Sequence, residues 1–279
     1  MPQQTPNPTS PSPDNQLETS LSLLRGSETI VPPPPFSFHP PPNPPASIIP
    51  HASRSRNRNR NNVLALIPTK NTHKAALIRA HLLQHKPADI RLQFRTFDAD
   101  PGVGEQPYDS AGLQGAVNRC LDAARQAAAA GVDGAGADGV GWFLVGSVEN
   151  YIARPGGRPW REWGGEGRPV DYGVVVFARV ELDDAGAGGV WEWRVGLSEG
   201  VTVPVEYWRR AEADGFEDAE GRYGKRTVGE VLAASVRGPA LDKADWHQVV
   251  AGKSRYALLK DAMEKVEVPW PTPEDGGLK

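Results

Sequence analysis

Hydrophobic positions divide this chain into a patterned part and an unpatterned part. Val63-Leu64-Ala65-Leu66-Ile67 is a continuous apolar run, as expected of a strand buried on both faces. Asn71 or Thr72 can cap a following helix that runs to about Gln84, with Ala75, Ile78 and Leu82 on one face. Leu92 to Phe97 reads as a second strand, and Gly102–Tyr108 as a loop. From Ser110 the apolar set Leu113, Ala116, Val117, Cys120, Leu121 and Ala124 repeats at helical spacing. Gly131–Gly141 reads as a surface loop, followed by strands at Trp142–Val145, Val174–Val180 and Trp191–Val195. The last two are joined in hairpin style across Asp183–Gly189. Pro204 opens a helix that ends near Gly215. Thr227-Val228-Gly229-Glu230 matches a capping box. Leu259, Ala262, Met263 and Val266 form the apolar stripe of a final helix. The alternation of strands and helices predicts a single α/β domain over residues 63–268, with 269–279 a disordered C-terminal tail.

Residues 1–62 follow neither period. Fifteen of the 27 prolines lie in positions 1–50, including Pro32–Pro35, which favours solvated polyproline II over helix or ladder. A short leucine pattern (Leu17, Leu21, Leu24) reads as a transient turn or a docking helix. The Arg/Asn run from Arg54 to Asn62 reads as a solvated linker or a polybasic handle. The expectation is a disordered Pro/Arg-rich tail ending at residue 62. The formal net charge is only -3, with 31 basic and 34 acidic residues, which argues against a dedicated nucleic-acid binder. No stretch approaches the ~18 uninterrupted apolar residues of a membrane span, and the first residues lack the features of a secretory signal. A single cysteine, Cys120, leaves no intramolecular disulfide. Together these features predict a cytoplasmic protein.

The most informative local feature is the turn Thr69-Lys70-Asn71-Thr72-His73-Lys74 between the first strand and its helix. Unpaired amides at a helix N-terminus, the helix dipole and a lysine together suit a phosphate; the same residues also describe an ordinary capped helix with an exposed lysine. The turn lacks P-loop glycines, which disfavours kinase-type or GTPase-type binding. Asp98, Asp100 and Glu105 follow the second strand and Glu149 follows the third, where they are either solvated carboxylates or ligands to a magnesium ion shared with phosphate oxygens. In Asp245-Trp246-His247, Trp246 reads as a core anchor and His247 is undecided. Cys120 reads as core, and His73 as a helix-surface residue rather than a ligand.

Taken together, three segments resemble the inosine/xanthosine triphosphatase family, which hydrolyses non-canonical purine nucleoside triphosphates. They are Thr69-Lys70-Asn71-Thr72-His73-Lys74, Gly102-Val103-Gly104-Glu105-Gln106-Pro107-Tyr108 and Gly115-Ala116-Val117-Asn118-Arg119. Val148 to Ile152, Val203 to Tyr207, Thr227 to Leu232, Asp245-Trp246-His247 and Gly252-Lys253-Ser254-Arg255 are similar to the proline-rich coiled-coil branch of the same superfamily. The resemblance spans residues 63–266. It implies an inosine triphosphate pyrophosphatase-like mixed sheet flanked by helices.

It also implies roles for individual residues. Thr69, Asn71, Lys74, Arg119 and Arg255 would bind substrate, and Asp100 and Glu149 would hold Mg2+ or Mn2+. Lys74 and Glu149 would be the catalytic pair. Two departures stand against this. Tyr151 replaces a family glycine beside Glu149, where a backbone is expected to approach the ligand closely. Lys243-Ala244-Asp245-Trp246-His247 replaces a glycine-rich segment. The resemblance therefore carries an alternative: a catalytically inactive, dimeric adaptor with a partner-recruiting proline-rich tail, acting in early secretory membrane traffic or protein kinase A regulation.

Overall fold

In the computed structural model of the chain, residues 30–34, 38, 58–131, 139–155, 167–182, 188–235 and 241–272 are described. The strands are β1 (Ile30–Val31), β2 (Arg58–Ile67), β3 (Arg91–Thr96), β4 (Gln106–Pro107), β5 (Gly139–Ala153), β6 (Val170–Leu182), β7 (Gly188–Leu197), β8 (Gly200–Thr202) and β9 (Tyr223–Gly224). The helices are α1 (Thr72–His85), α2 (Ser110–Ala129), α3 (Val205–Ala213), α4 (Val228–Ser235), α5 (His247–Ala251) and α6 (Arg255–Met263).

A seven-stranded mixed sheet carries the fold, in the order β1-β8-β6-β5-β2-β3, with β7 also paired to β6. β2 runs parallel to both β3 and β5, whereas β5–β6 and β6–β7 are antiparallel. Alternation along the strands feeds two cores. Leu64, Leu66, Phe143, Val145, Val174 and Val176 face α2, against Ala116, Cys120 and Ala124. Val63, Ala65, Ile67, Leu144, Val175 and Phe177 face α1 and α6, against Ile78, Leu82, Leu259 and Met263. A continuous apolar run is thus what a strand needs when helices cover both of its faces. A third cluster around Trp246, Val228, Leu232 and Tyr108 closes one end.

Local chemistry sets the helix ends as the sequence predicts. Asn71 caps α1 through its side chain, accepting from the Lys74 amide at 3.0 Å. The capping box ahead of α4 is reciprocal: Glu230 N donates to Thr227 Oγ1 at 3.1 Å, and Thr227 N to Glu230 Oε2 at 3.2 Å.

The expected boundaries of the domain move outward at both ends. β2 starts at Arg58, because its backbone pairs with β5 at Gly139 and Val140, and a ladder of main-chain groups needs no apolar side chains. Upstream, Ile30 and Val31 pair antiparallel with Val201 and Gly200, and Phe38 packs edge-on against Trp193 with ring centroids 6.5 Å apart. At the other end Trp270 packs against the α1/α6 core, and its carbonyl accepts from Arg179 at 2.9 Å. The leucine pattern at 17–24, residues 132–138 of the expected loop and 183–187 of the hairpin turn lie outside the described residues, as do 273–279.

β5 is far longer than the predicted four residues and stays buried almost throughout. Its extension places Tyr151 against α2, where Gly112 gives room: a Cβ added at Gly112 would stand 2.4 Å from the Tyr151 Cβ. Gly112→Ala is therefore expected to cost about 1–3 kcal/mol, as overpacking does. Denaturant melts of Gly112→Ala, Tyr151→Gly and the double variant would show the double variant losing less than the sum of the two single losses, because Tyr151→Gly removes the clashing Cβ; simple additivity would contradict this packing.

Candidate functional site

The site forms where β5 outruns its neighbour. β2 pairs with β5 only as far as Leu66 and Val145, and the next main-chain link on that edge is the bridge of Tyr108 to Ile152. Between these points one edge of β5 faces a cleft at the C-terminal end of β2, the position where open α/β sheets place ligands. Glu149 lies in this gap. Lys74 reaches it from the first turn of α1, and Arg119 from the middle of α2 on the opposite face of the sheet.

The three side chains are largely buried and form one charge cluster. Lys74 Nζ is 3.4 Å from Glu149 Oε1, and Arg119 Nε donates to Oε2 at 3.0 Å. The Asn150 amide adds a bond to Oε1 at 3.0 Å, and Arg119 is tied to the Ala99 carbonyl at 2.6 Å. Burial pushes the Glu149 carboxyl up, but the two cations and their hydrogen bonds outweigh it and hold it below the usual glutamate range. Burial lowers the Lys74 ammonium; Glu149 opposes the fall, while Arg255 and Arg119 add to it.

Two cavities meet at Glu149. The larger, about 570 Å³, takes its polar lining from Asp98, Asp100, Glu105, Glu217 and Arg119 as well as Glu149. The smaller, about 190 Å³, is bordered by Asn150, Thr227, Glu230, Lys243, Trp246 and Arg255, and shares Glu105, Pro107 and Glu149 with the larger. Carboxylates outnumber the single guanidinium lining the larger cavity, so it favours a cation and, by itself, repels an anion. Among the described residues no three of these carboxylates bring ligand atoms within 4.8 Å of one another, so the cavity is acidic without being a formed ion site.

Of the residues singled out in the sequence, Asp98, Asp100, Glu105, Arg119, Glu149 and Arg255 line one or both cavities, whereas Thr69, Asn71 and Lys74 line neither, and Lys74 meets the region through Glu149. Asp100 and Glu149 line the same cavity, although Asp100 Oδ1 also accepts from Gly102 N at 2.8 Å and so shapes its own loop. Thr69 Oγ1 accepts from Asn71 N at 3.1 Å, which commits the Thr69 and Asn71 side chains to building the turn. No hydrogen bond of the described residues uses the amides of Thr72 and His73, which remain for a ligand. Arg255 borders the smaller cavity and leans on Asp171, 3.5 Å away. His73 is exposed, edge-on to Tyr256, and Cys120 is core, as expected.

Tyr151 does not obstruct the cleft. It lines neither cavity and is packed instead in the α2 core, stacked on Tyr172 at 5.9 Å. Trp246 is a buried core residue that also lines the smaller cavity. The undecided His247 is buried, stacked on Trp246, and 3.4 Å from Asp171 Oδ2. Sequence reasoning missed Asp171, although an acid amid the apolar run of β6 is itself a sign of a buried partner. It also missed Glu217, which lies in an irregular loop and packs where Gly104 lacks a side chain.

No protein-family model matches this sequence, and no curated protein sequence does. Among solved structures, the crystal structure of protein VC0702 from Vibrio cholerae is similar at a TM-score of 0.41 and 14% identity, covering 72% of this chain and 90% of that one.

Glu149 also governs acid stability. A carboxyl held below its unfolded pKa stabilises the fold fully above that value, about 4.3 for glutamate, and the contribution is lost as pH falls through the folded value. Glu149→Gln leaves Lys74 and Arg119 without their counter-charge and is expected to lose about 3 kcal/mol or more at neutral pH. Urea unfolding at a series of pH values should show this gap narrow below about pH 4.3. A gap that stays constant into the acid range would mean Glu149 is not held ionised by its neighbours.

Proposed function

We propose that the chain is a metal-dependent nucleoside triphosphatase that converts inosine or xanthosine triphosphate to the diphosphate and phosphate, with the inosine triphosphate pyrophosphatase-like fold that its motifs resemble. The observation that carries this reading is the Lys74–Glu149–Arg119 cluster at the junction of two cavities, one of them rich in carboxylates. Asp100 and Glu149 would hold Mg2+ or Mn2+. Such an ion polarises a phosphoryl oxygen and offsets the charge of the triphosphate. The Thr72 and His73 amides and Lys74 would receive phosphate oxygens at the start of α1. Arg119 and Lys74, now paired to Glu149, would turn toward the charge that accumulates on the transferred group. Arg255 and Lys243 border the smaller cavity, which suits the base, and a lysine donor there favours a 6-oxo group over an adenine amino group.

A specific observation also supports the adaptor reading: each oxygen of Glu149 already has a cationic partner, so the cluster is satisfied with no ligand. Phosphate release over a panel of purine triphosphates, with magnesium and manganese, separates the two. The hydrolase reading expects inosine or xanthosine triphosphate to be preferred, and kcat/KM to fall about 100-fold or more in Lys74→Ala and Glu149→Gln. Turnover no higher than in those variants across the metal series would remove it, and nucleotide binding without turnover would support the adaptor.

A further inference from the structure

A second polar cluster lies away from this cleft, where the end of α1 meets the end of α6. His81 and His85 are one turn apart on α1, so both rings project from one face. Glu264 is the C-cap residue of α6 and faces them. One donor atom from each of the three residues can be chosen so that all lie within 4.8 Å of one another. His85 Nε2 is 3.0 Å from Glu264 Oε2, and His81 Nδ1 is 3.6 Å from Oε1. Tetrahedral zinc with nitrogen and oxygen ligands at 2.0–2.2 Å holds its donors about 3.3 Å apart, and since the two contacts run to different oxygens of Glu264, a small turn of that carboxylate brings one oxygen toward both rings.

His81 provides an independent sign. It is only 5% exposed, and neither of its ring nitrogens has a hydrogen-bond partner. An imidazole buried in this way is costly unless something takes up a nitrogen lone pair. Its plane is held by stacking on Phe177, with centroids 5.3 Å apart, and its ring lies 4.4 Å from that of His85. His85 and Glu264 are each more than a third exposed, which gives an ion a path in and leaves room for a water as fourth ligand.

We propose that His81, His85 and Glu264 bind a divalent transition-metal cation of the zinc class, which staples α1 to α6. Two imidazoles and one carboxylate suit zinc and its first-row neighbours, whereas magnesium and calcium prefer oxygen donors throughout. The site is thus distinct in chemistry from the carboxylate-lined cleft. It is distinct in place as well, since His81 and His85 follow Lys74 by seven and eleven residues, roughly 10–16 Å along the helix axis. It does not depend on the proposed hydrolase activity.

The test is calorimetric titration of zinc chloride into the metal-stripped full chain, with saturating magnesium present to occupy the carboxylates of the cleft. One equivalent should bind and raise the melting temperature. His85→Ala and Glu264→Gln change partly exposed side chains and should fold normally by circular dichroism. Each should weaken zinc binding at least about tenfold, since even supporting residues of a metal site cost that much. Replacement by cobalt should give the visible absorption of a tetrahedral ion in the wild type only. The absence of a stoichiometric binding event, or one of equal affinity in both variants, overturns the proposal.

Discussion

A single carboxylate organises the centre of this molecule. Glu149 stands on the stretch of β5 that β2 no longer covers, and two cations reach it from opposite faces of the sheet, Lys74 on α1 and Arg119 on α2. Both helices pack on the sheet chiefly through apolar contacts, which are non-directional and set distance better than registry. The ion pairs supply direction. They also carry a risk: such charges stay in a low-dielectric setting only while all partners are present, and withdrawing one leaves the others uncompensated.

The same arrangement explains why the cleft can persist. A gap in a sheet would leave unpaired main-chain groups and apolar walls prone to collapse. Here the Tyr108–Ile152 bridge and the bond from Asp109 N to the Ile152 carbonyl resume main-chain pairing beyond the gap. Asp109 adopts a left-handed φ of 52°, a cost offset by its carboxylate accepting from both the amide and the side chain of Arg154. The loop leading into α2 is thereby anchored at its far end, and Asp98, Asp100 and Glu105 are left lining open space.

The legible parts of this architecture are those with a local cause. The apolar run at Val63, the helical repeat after Ser110 and the reciprocal cap at Thr227 each follow from residues within one or two turns of one another, and each is found where its pattern places it. Lys74 and Glu149 were each legible as candidates because they follow strands, but not as a pair, since 75 residues separate them. Features set by distant partners were not legible. Ile30 and Val31 gain their strand only from β8, Arg58 and Asn59 only from the start of β5, and His247 its partner only from Asp171. Tyr151 is the instructive reversal. Its size suggested obstruction, but size counts only with direction, and Gly112 gives the ring a place on the far side of the strand.

The pairing of β1 with β8 changes the status of the proline-rich segment. Ile30 and Val31 behave as a peptide ligand adding to a sheet edge, except that this ligand belongs to the chain itself. Phe38 then lies against Trp193, which is stacked with Trp191. Cutting the chain at Val63 would not simply trim an appendage. It would bare the edge of β8 and remove the ring packed on Trp193, converting a self-capped sheet into one open to its neighbours.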